Sequence, residues 1–144
     1  MYPEIMLIPM REELTRIGIE ETKTADAVDE AVRGTEGTLM VVVNSVCGCA
    51  AGKMRPGIRR AFAHSSKPAR SITVFAGQDS EATERARGYF TGYPPSSPSI
   101  GFLRDGKLVH MIQRSDIETR TADQIEALLT QAFDQFCGAA STKS

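Results

Sequence analysis

The chain predicts an α/β domain with a central mixed sheet flanked by helices, and three observations carry that expectation. Leu39 to Val43 are all apolar and include three valines, the pattern of a strand buried on both faces and therefore of a parallel sheet. Runs of helical periodicity stand on either side of it, so crossover helices join the early strands. Asp105 and Gly106 form a two-residue hairpin signal between apolar runs, which adds antiparallel strands late. A length of 144 residues suits one domain over 1–144 with a core that needs no disulfide staples.

The elements follow in order. Pro3 to Ile17 mixes Ile5, Met6, Ile8, Met10, Leu14 and Ile17 with charged residues, which predicts an opening amphipathic helix bent or divided at Pro9. After Gly18, IEETKT is a weak strand, and Thr24 caps a helix with Ala27, Val28, Ala31 and Val32 on one face. Gly34 and Gly37 close that helix, and the strand Leu39 to Val43 follows. A helix from about Ala50 to Ala63 comes next, kinked where Pro56 and Gly57 interrupt it. Ile72 to Ala76 is a second apolar strand, ended by Gly77. Asp79 or Ser80 caps a helix whose Ala82, Ala86, Tyr89 and Phe90 share a face. Pro94, Pro95 and Pro98 forbid helix before the strand Ile100 to Leu103, whose hairpin partner is Leu108 to Ile112. Ile125, Leu128, Leu129, Ala132, Phe133 and Phe136 share a face of a last helix, about Ala122 to Phe136, and a loose polar tail runs from about 138 to 144.

Composition narrows the function. An apolar fraction of 41% and a charged fraction of 24% are those of a soluble globular protein, and 17 basic against 18 acidic residues leave a formal charge of −1. No surface that recruits nucleic acid or membrane is advertised. The apolar part of the N-terminus is short, interrupted by Glu4 and Pro9 and without a basic start, so neither a signal peptide nor a membrane span is expected. Three cysteines, two of them separated by a single glycine, do not form the framework of a secreted disulfide-rich domain and fit a reducing cytoplasm.

Cys47, Gly48 and Cys49 fall where the strand gives way to the helix. Unpaired N–H groups and the positive end of the helix dipole favour a thiolate there, which lowers the cysteine pKa. Cys47, at the strand end, is the better placed to be reached from outside, and Cys49 can attack a mixed disulfide on Cys47 intramolecularly. A Cys47–Cys49 bridge leaves little room for the preferred disulfide dihedral, so it is expected to be easily reduced. Three other readings stand beside this one. The pair could fill space as two small buried residues. Cys47, Cys49 and Cys137 with His64 or His110 could hold zinc. A thiol-sensing module would need no turnover. Cys137, His64 and His110 carry no assigned role, and Lys53 and Arg55 read as solvated helix residues, near enough for a cation to help hold a thiolate.

The order of elements resembles the thioredoxin-like fold, with a cysteine motif after a central strand, a kinked helix behind it, and a proline just before the first hairpin strand. That resemblance implies a cis Pro98 facing the cysteines, with Ser97 offering its backbone to an extended substrate. NSVCGCAAGKMRP, VFAGQDSEATERARGYFTG and PSSPS together resemble the bacilliredoxin family, over about Pro3 to Cys137. The resemblance implies a thiol-disulfide oxidoreductase that removes bacillithiol, a low-molecular-weight thiol, from mixed disulfides on client proteins. Earlier descriptions of the family as weak disulfide isomerases leave a general protein disulfide reductase or isomerase as the alternative. It further implies Cys47 as attacking thiolate, Cys49 as resolver, substrate binding at Gly48, Ser97 and Pro98, and bacillithiol as co-substrate with no cofactor and no metal. Gln113 and Ser115 depart from a Pro and a His in this region of other members.

Overall fold

Strand β2 (Thr38–Asn44) is buried along all 7 of its residues, and the other elements are laid against it. The computed structural model describes residues 2–137, so the expected polar tail lies outside the described residues. In chain order the elements are α1 (Glu4–Thr15), β1 (Glu20–Glu21), α2 (Ala25–Gly34), β2, a π-helical turn (Ala50–Met54), α3 (Arg55–Ala61), β3 (Arg70–Phe75), α4 (Ser80–Gly88), β4 (Ser99–Arg104), β5 (Lys107–Ile112), α5 (Arg114–Glu118), α6 (Ala122–Ala132) and a closing π-helical turn (Phe133–Cys137). The five strands make one sheet in the order β1-β3-β2-β4-β5. β1 and β2 run parallel to β3, whereas β4 is antiparallel to β2 and β5 to β4.

Because successive side chains of a strand point to opposite faces, β2 serves two cores. Met40 and Val42 face a cluster with Ile58, Ile100, Phe102, Ile125, Leu129 and Phe133, which is the layer of α3 and α6. Leu39, Val41 and Val43 face a second cluster with Val28, Val32, Ile72, Val74, Ala82 and Phe90, the layer of α2 and α4. This explains the unbroken apolar run. The parallel pairing of β2 with β3 and the late antiparallel hairpin agree with the expectation. At the hairpin Asp105 and Gly106 have φ of 53° and 77°, the left-handed pair that a two-residue turn of this kind needs.

Four local differences from expectation have physical causes. Helix α1 passes through Pro9 without a break, because Pro9 faces solvent and its missing N–H leaves the Ile5 carbonyl on the exposed side. Its buried face is Leu7, Arg11 and Leu14, while Ile5, Met6 and Ile8 are exposed. Arg11 directs that choice: its Nη1 donates to Glu21 Oε2 at 2.8 Å and to Asp79 Oδ2 at 2.7 Å, and its guanidinium lies 5.1 Å from the Phe75 ring centroid. The weak strand after Gly18 shrinks to Glu20 and Glu21 at the sheet edge.

The helix expected from Ala50 departs from α geometry before Pro56 rather than at it. Residues 50–54 form a π-helical turn, and Pro56 sits in the first turn of α3. A proline ring crowds the carbonyl four residues back, here Gly52, and widening that turn makes room. Gly57 then lets α3 approach α6, since a Cβ there would lie 2.6 Å from Ile125 Cγ2. The fourth difference is α5, absent from the sequence expectation. Its 5 residues are too few to show periodicity, and it is held by a capping box in which the Gln113 N–H donates to Asp116 Oδ2 at 2.9 Å.

Candidate active site

The site is built where β2 ends. Asn44 and Ser45 are buried, Cys47 and Cys49 are partly buried, and Gly48 between them is exposed. Asn44 stops the strand with its own side chain, its Oδ1 accepting the Ser45 N–H at 2.9 Å. Ser45 then makes the tight turn typical of its type, with Oγ accepting the Cys47 N–H at 3.1 Å. Gly48 and Cys49 are already helical, and the Cys47 carbonyl accepts the N–H groups of Ala50 and Ala51, each at 3.1 Å. Cys47 is thus the residue on which a strand becomes a helix.

That position alters the thiol. Partial burial pushes the Cys47 pKa up, but the Ser45 hydroxyl, the backbone N–H groups of Ala50 and Cys49, and the charge of Arg114 outweigh it. The result lies below the ordinary cysteine value. All three cysteines are free thiols. Cys47 and Cys49 pack against the α3/α6 core from one end of the sheet.

The Ser97–Pro98 peptide is cis, as the fold resemblance implied. Ser99 pairs with Val43 at the start of β4, so Pro98 lies at the same end of the sheet as the cysteine turn. Arg114 joins the two parts. Its backbone N–H donates to Ser96 Oγ at 3.4 Å, its Nη1 to the Ser97 carbonyl at 3.2 Å and its Nε to Glu118 Oε1 at 3.1 Å, while its charge acts on Cys47. Lys53 reaches the same helix, donating from Nζ to the Glu118 carbonyl at 2.5 Å.

Arg55 is not the solvated residue expected. It is 1% exposed, and it belongs to the floor of the turn. Cys137 lies at the opposite end of the sheet, beside Thr38 at the start of β2 and in the field of Arg104, and burial pushes its thiol up to about 11. The zinc arrangement considered from the sequence therefore does not form, because Cys137 and the Cys47–Cys49 pair are separated by the length of β2. Among the described residues no group of three or more histidine, cysteine or acidic side chains is placed to hold a metal ion. His64 Nε2 lies 2.8 Å from Asp134 Oδ1, and His110 stacks on Phe136 with ring centroids 5.0 Å apart, so both histidines are occupied away from the cysteines.

A free thiol of lowered pKa at the strand end, a second thiol two residues beyond it, and a cis proline at the same end of the sheet form an arrangement suited to disulfide exchange. A family model described as disulphide isomerase matches residues 2–137. A bacilliredoxin of Koribacter versatilis is 92% identical over 139 residues, covering 96% of each chain. The chain belongs to the bacilliredoxin family. Members from Salinibacter ruber and Geobacillus kaustophilus are 51% and 47% identical, with 82% and 95% of their lengths covered. Among solved structures, the oxidised thioredoxin of Plasmodium falciparum superposes with a TM-score of 0.58 at 14% identity, covering 84% of this chain and all of the other. A putative oxidoreductase with a thioredoxin fold gives 0.57 over 75% of this chain. The fold is thioredoxin-like, and family membership makes the chain a thiol-disulfide oxidoreductase. Among the described residues no helix is long and apolar enough to cross a membrane.

The sequence brought Cys47, Gly48, Cys49, Ser97 and Pro98 into view, and they share one end of the sheet. It missed Arg114, on a helix too short to be seen, and Ser45, which carried only the signal of a serine two residues before a cysteine.

Proposed function

We infer that this chain removes bacillithiol from mixed disulfides on client proteins in a reducing cytoplasm. The Cys47 thiolate attacks the bacillithiol sulfur, the client leaves as its thiolate, and Cys47 carries the bacillithiol as a mixed disulfide. Cys49, as thiolate, then attacks Cys47, releasing bacillithiol thiolate and leaving a Cys47–Cys49 disulfide. The client disulfide is reduced and the cysteine pair oxidised, and a two-electron thiol reductant restores the pair. Gly48 leaves the approach to Cys47 open, and Ser97 and Pro98 receive the client segment. The observation that carries this reading is the lowered Cys47 thiol beside a second thiol at the strand end.

The family model's description favours a second reading, exchange on disulfides within proteins. One experiment separates the two. Cys49→Ala protein is mixed with a bacillithiolated client and, in parallel, a glutathionylated one, and thiol transfer is followed by intact mass. Transfer of bacillithiol alone, trapped on Cys47, is expected. Transfer of both thiols moves the function to general disulfide exchange, and transfer of neither removes the deprotecting role.

A further inference from the structure

The RP pair that follows the cysteine turn in the sequence has no part in the exchange reaction as written, yet its arginine is among the most completely buried side chains of the chain. Arg55 is 1% exposed. Its Nη1 donates to Asn44 Oδ1 at 2.9 Å and to the Ser45 carbonyl at 2.8 Å, and its Nε donates to Glu13 Oε1 at 3.1 Å. A buried guanidinium is costly to desolvate and is kept only where its fork is matched by acceptors. Two of these three acceptors belong to the residues that turn β2 toward Cys47. Asn44 is held from its other side as well, its Nδ2 donating to the Met10 carbonyl at 3.3 Å.

The geometry forms a chain of contacts. Arg55 fixes Asn44 Oδ1 and the Ser45 carbonyl, Asn44 Oδ1 fixes the Ser45 N–H, and Ser45 Oγ receives the Cys47 N–H. We propose that Arg55 is a positioning residue for the exchange reaction: it sets the Asn44–Ser45 turn whose Ser45 Oγ holds the Cys47 N–H, and with it the place of the Cys47 thiol and of the Ser45 hydroxyl beside it. Arg55 works through Ser45 and touches no reacting atom. The proposal rests on Cys47 being the attacking thiolate, and it assigns to the cysteine turn a support from α3, the helix behind it.

The test uses full-length protein in a Cys49→Ser, Cys137→Ser background, where Cys47 is the sole thiol. The rate of alkylation by iodoacetamide against pH gives the Cys47 titration midpoint. Ser45→Ala removes the hydroxyl, and Arg55→Lys keeps the charge while losing the fork. Each is expected to raise the midpoint by about 0.5–1 pH unit, the scale of one hydrogen bond to a thiolate. The double variant should shift it no further than the larger single change, because both act through one turn. Arg11→Lys, at the chain's other buried arginine, on α1, serves as the comparison, losing stability with the midpoint unmoved. A folded Arg55→Lys protein with an unchanged midpoint overturns the proposal, and so does a double variant whose shift is the sum of the two. If Arg55→Lys does not fold, Asn44→Ala takes its place, with the same rise expected and the same absence of a rise decisive against it. Iodoacetamide needs no bacillithiol, so a failed bacillithiol transfer with the midpoint shifts intact rejects the substrate and leaves Arg55 in its role.

Discussion

Cys47 and Cys137 stand at opposite ends of β2, and the sheet treats the same side chain in opposite ways. At the Asn44 end the thiol meets a hydroxyl, two helix N–H groups and an arginine, and its pKa falls. At the Thr38 end burial outweighs the Thr38 side chain and the Arg104 charge, and the thiol is pushed up to about 11. Both cysteines are partly buried, and what separates them is how far their neighbours offset that burial. Cys47 precedes a helix and meets its N–H donors, whereas at Cys137 burial is the largest influence and is only partly offset.

The comparison breaks most sharply in activity. Cys47→Ala is expected to bring thiol exchange down to background, with Cys137→Ala within about twofold of the unchanged protein, as measured by release of thiol from a bacillithiolated client. Alkylation at pH 7 gives the graded version of that contrast. Cys47 is expected to react faster, because its pKa is lowered while that of Cys137 is raised, and the lower nucleophilicity of the more acidic thiol returns only part of that advantage. Equal alkylation of the two, read by peptide mass, would remove the distinction.

A smaller effect comes from the helices that lead to each cysteine. Gly57→Ala forces a Cβ to within 2.6 Å of Ile125 Cγ2, where α3 crosses α6. Overpacking of this kind costs about 1–3 kcal/mol, and urea unfolding is the measurement. Because α3 carries the turn below Cys47 and α6 leads to Cys137, the variant should disturb both thiols, and a change confined to one would show that the ends are supported independently.

The smallest effect is in the pH dependence of stability, where the two thiols have opposite signs. Against an ordinary value of 9.0, folded Cys47 loses its proton earlier than the unfolded chain does, so stability from Cys47 grows as pH rises toward 9.0 and is lost as pH falls through the folded pKa. Folded Cys137 keeps its proton longer, so its contribution is complete below 9.0 and is lost as pH climbs to about 11. Subtracting the unfolding curves of Cys47→Ala and Cys137→Ala from that of the unchanged protein should give slopes of opposite sign, and a common sign would contradict the two environments.

Much of this was legible from residue order. The run Leu39 to Val43 declared a strand with two buried faces and Asp105–Gly106 declared the hairpin, while the cis Ser97–Pro98 peptide followed from the fold resemblance and not from the proline's place alone. Cys47 and Cys49 could be placed because a strand-to-helix transition is a local event. What stayed hidden depends on distant partners. Arg55 has the same local spacing whether it reaches solvent or Asn44, and only the packing of α1 and β2 around it decides. Arg114 was hidden because α5 is shorter than the window that reveals a helix. The opening helix misled for a related reason: Ile5, Met6 and Ile8 suggested a buried face, but Arg11, tied to Glu21 and Asp79, turned Leu7 and Leu14 inward instead.

The shortness of β1 has a further consequence. An unpaired strand edge offers a template on which other chains can add, and long apolar edges are the ones that aggregate. Here that edge is two residues long, both glutamates, and Glu20 is held by the Arg70 guanidinium through contacts of 2.7 Å. An incoming strand would find almost no ladder to extend and a charged pair in its way. On the β1 side, then, the sheet offers little from which to grow sideways.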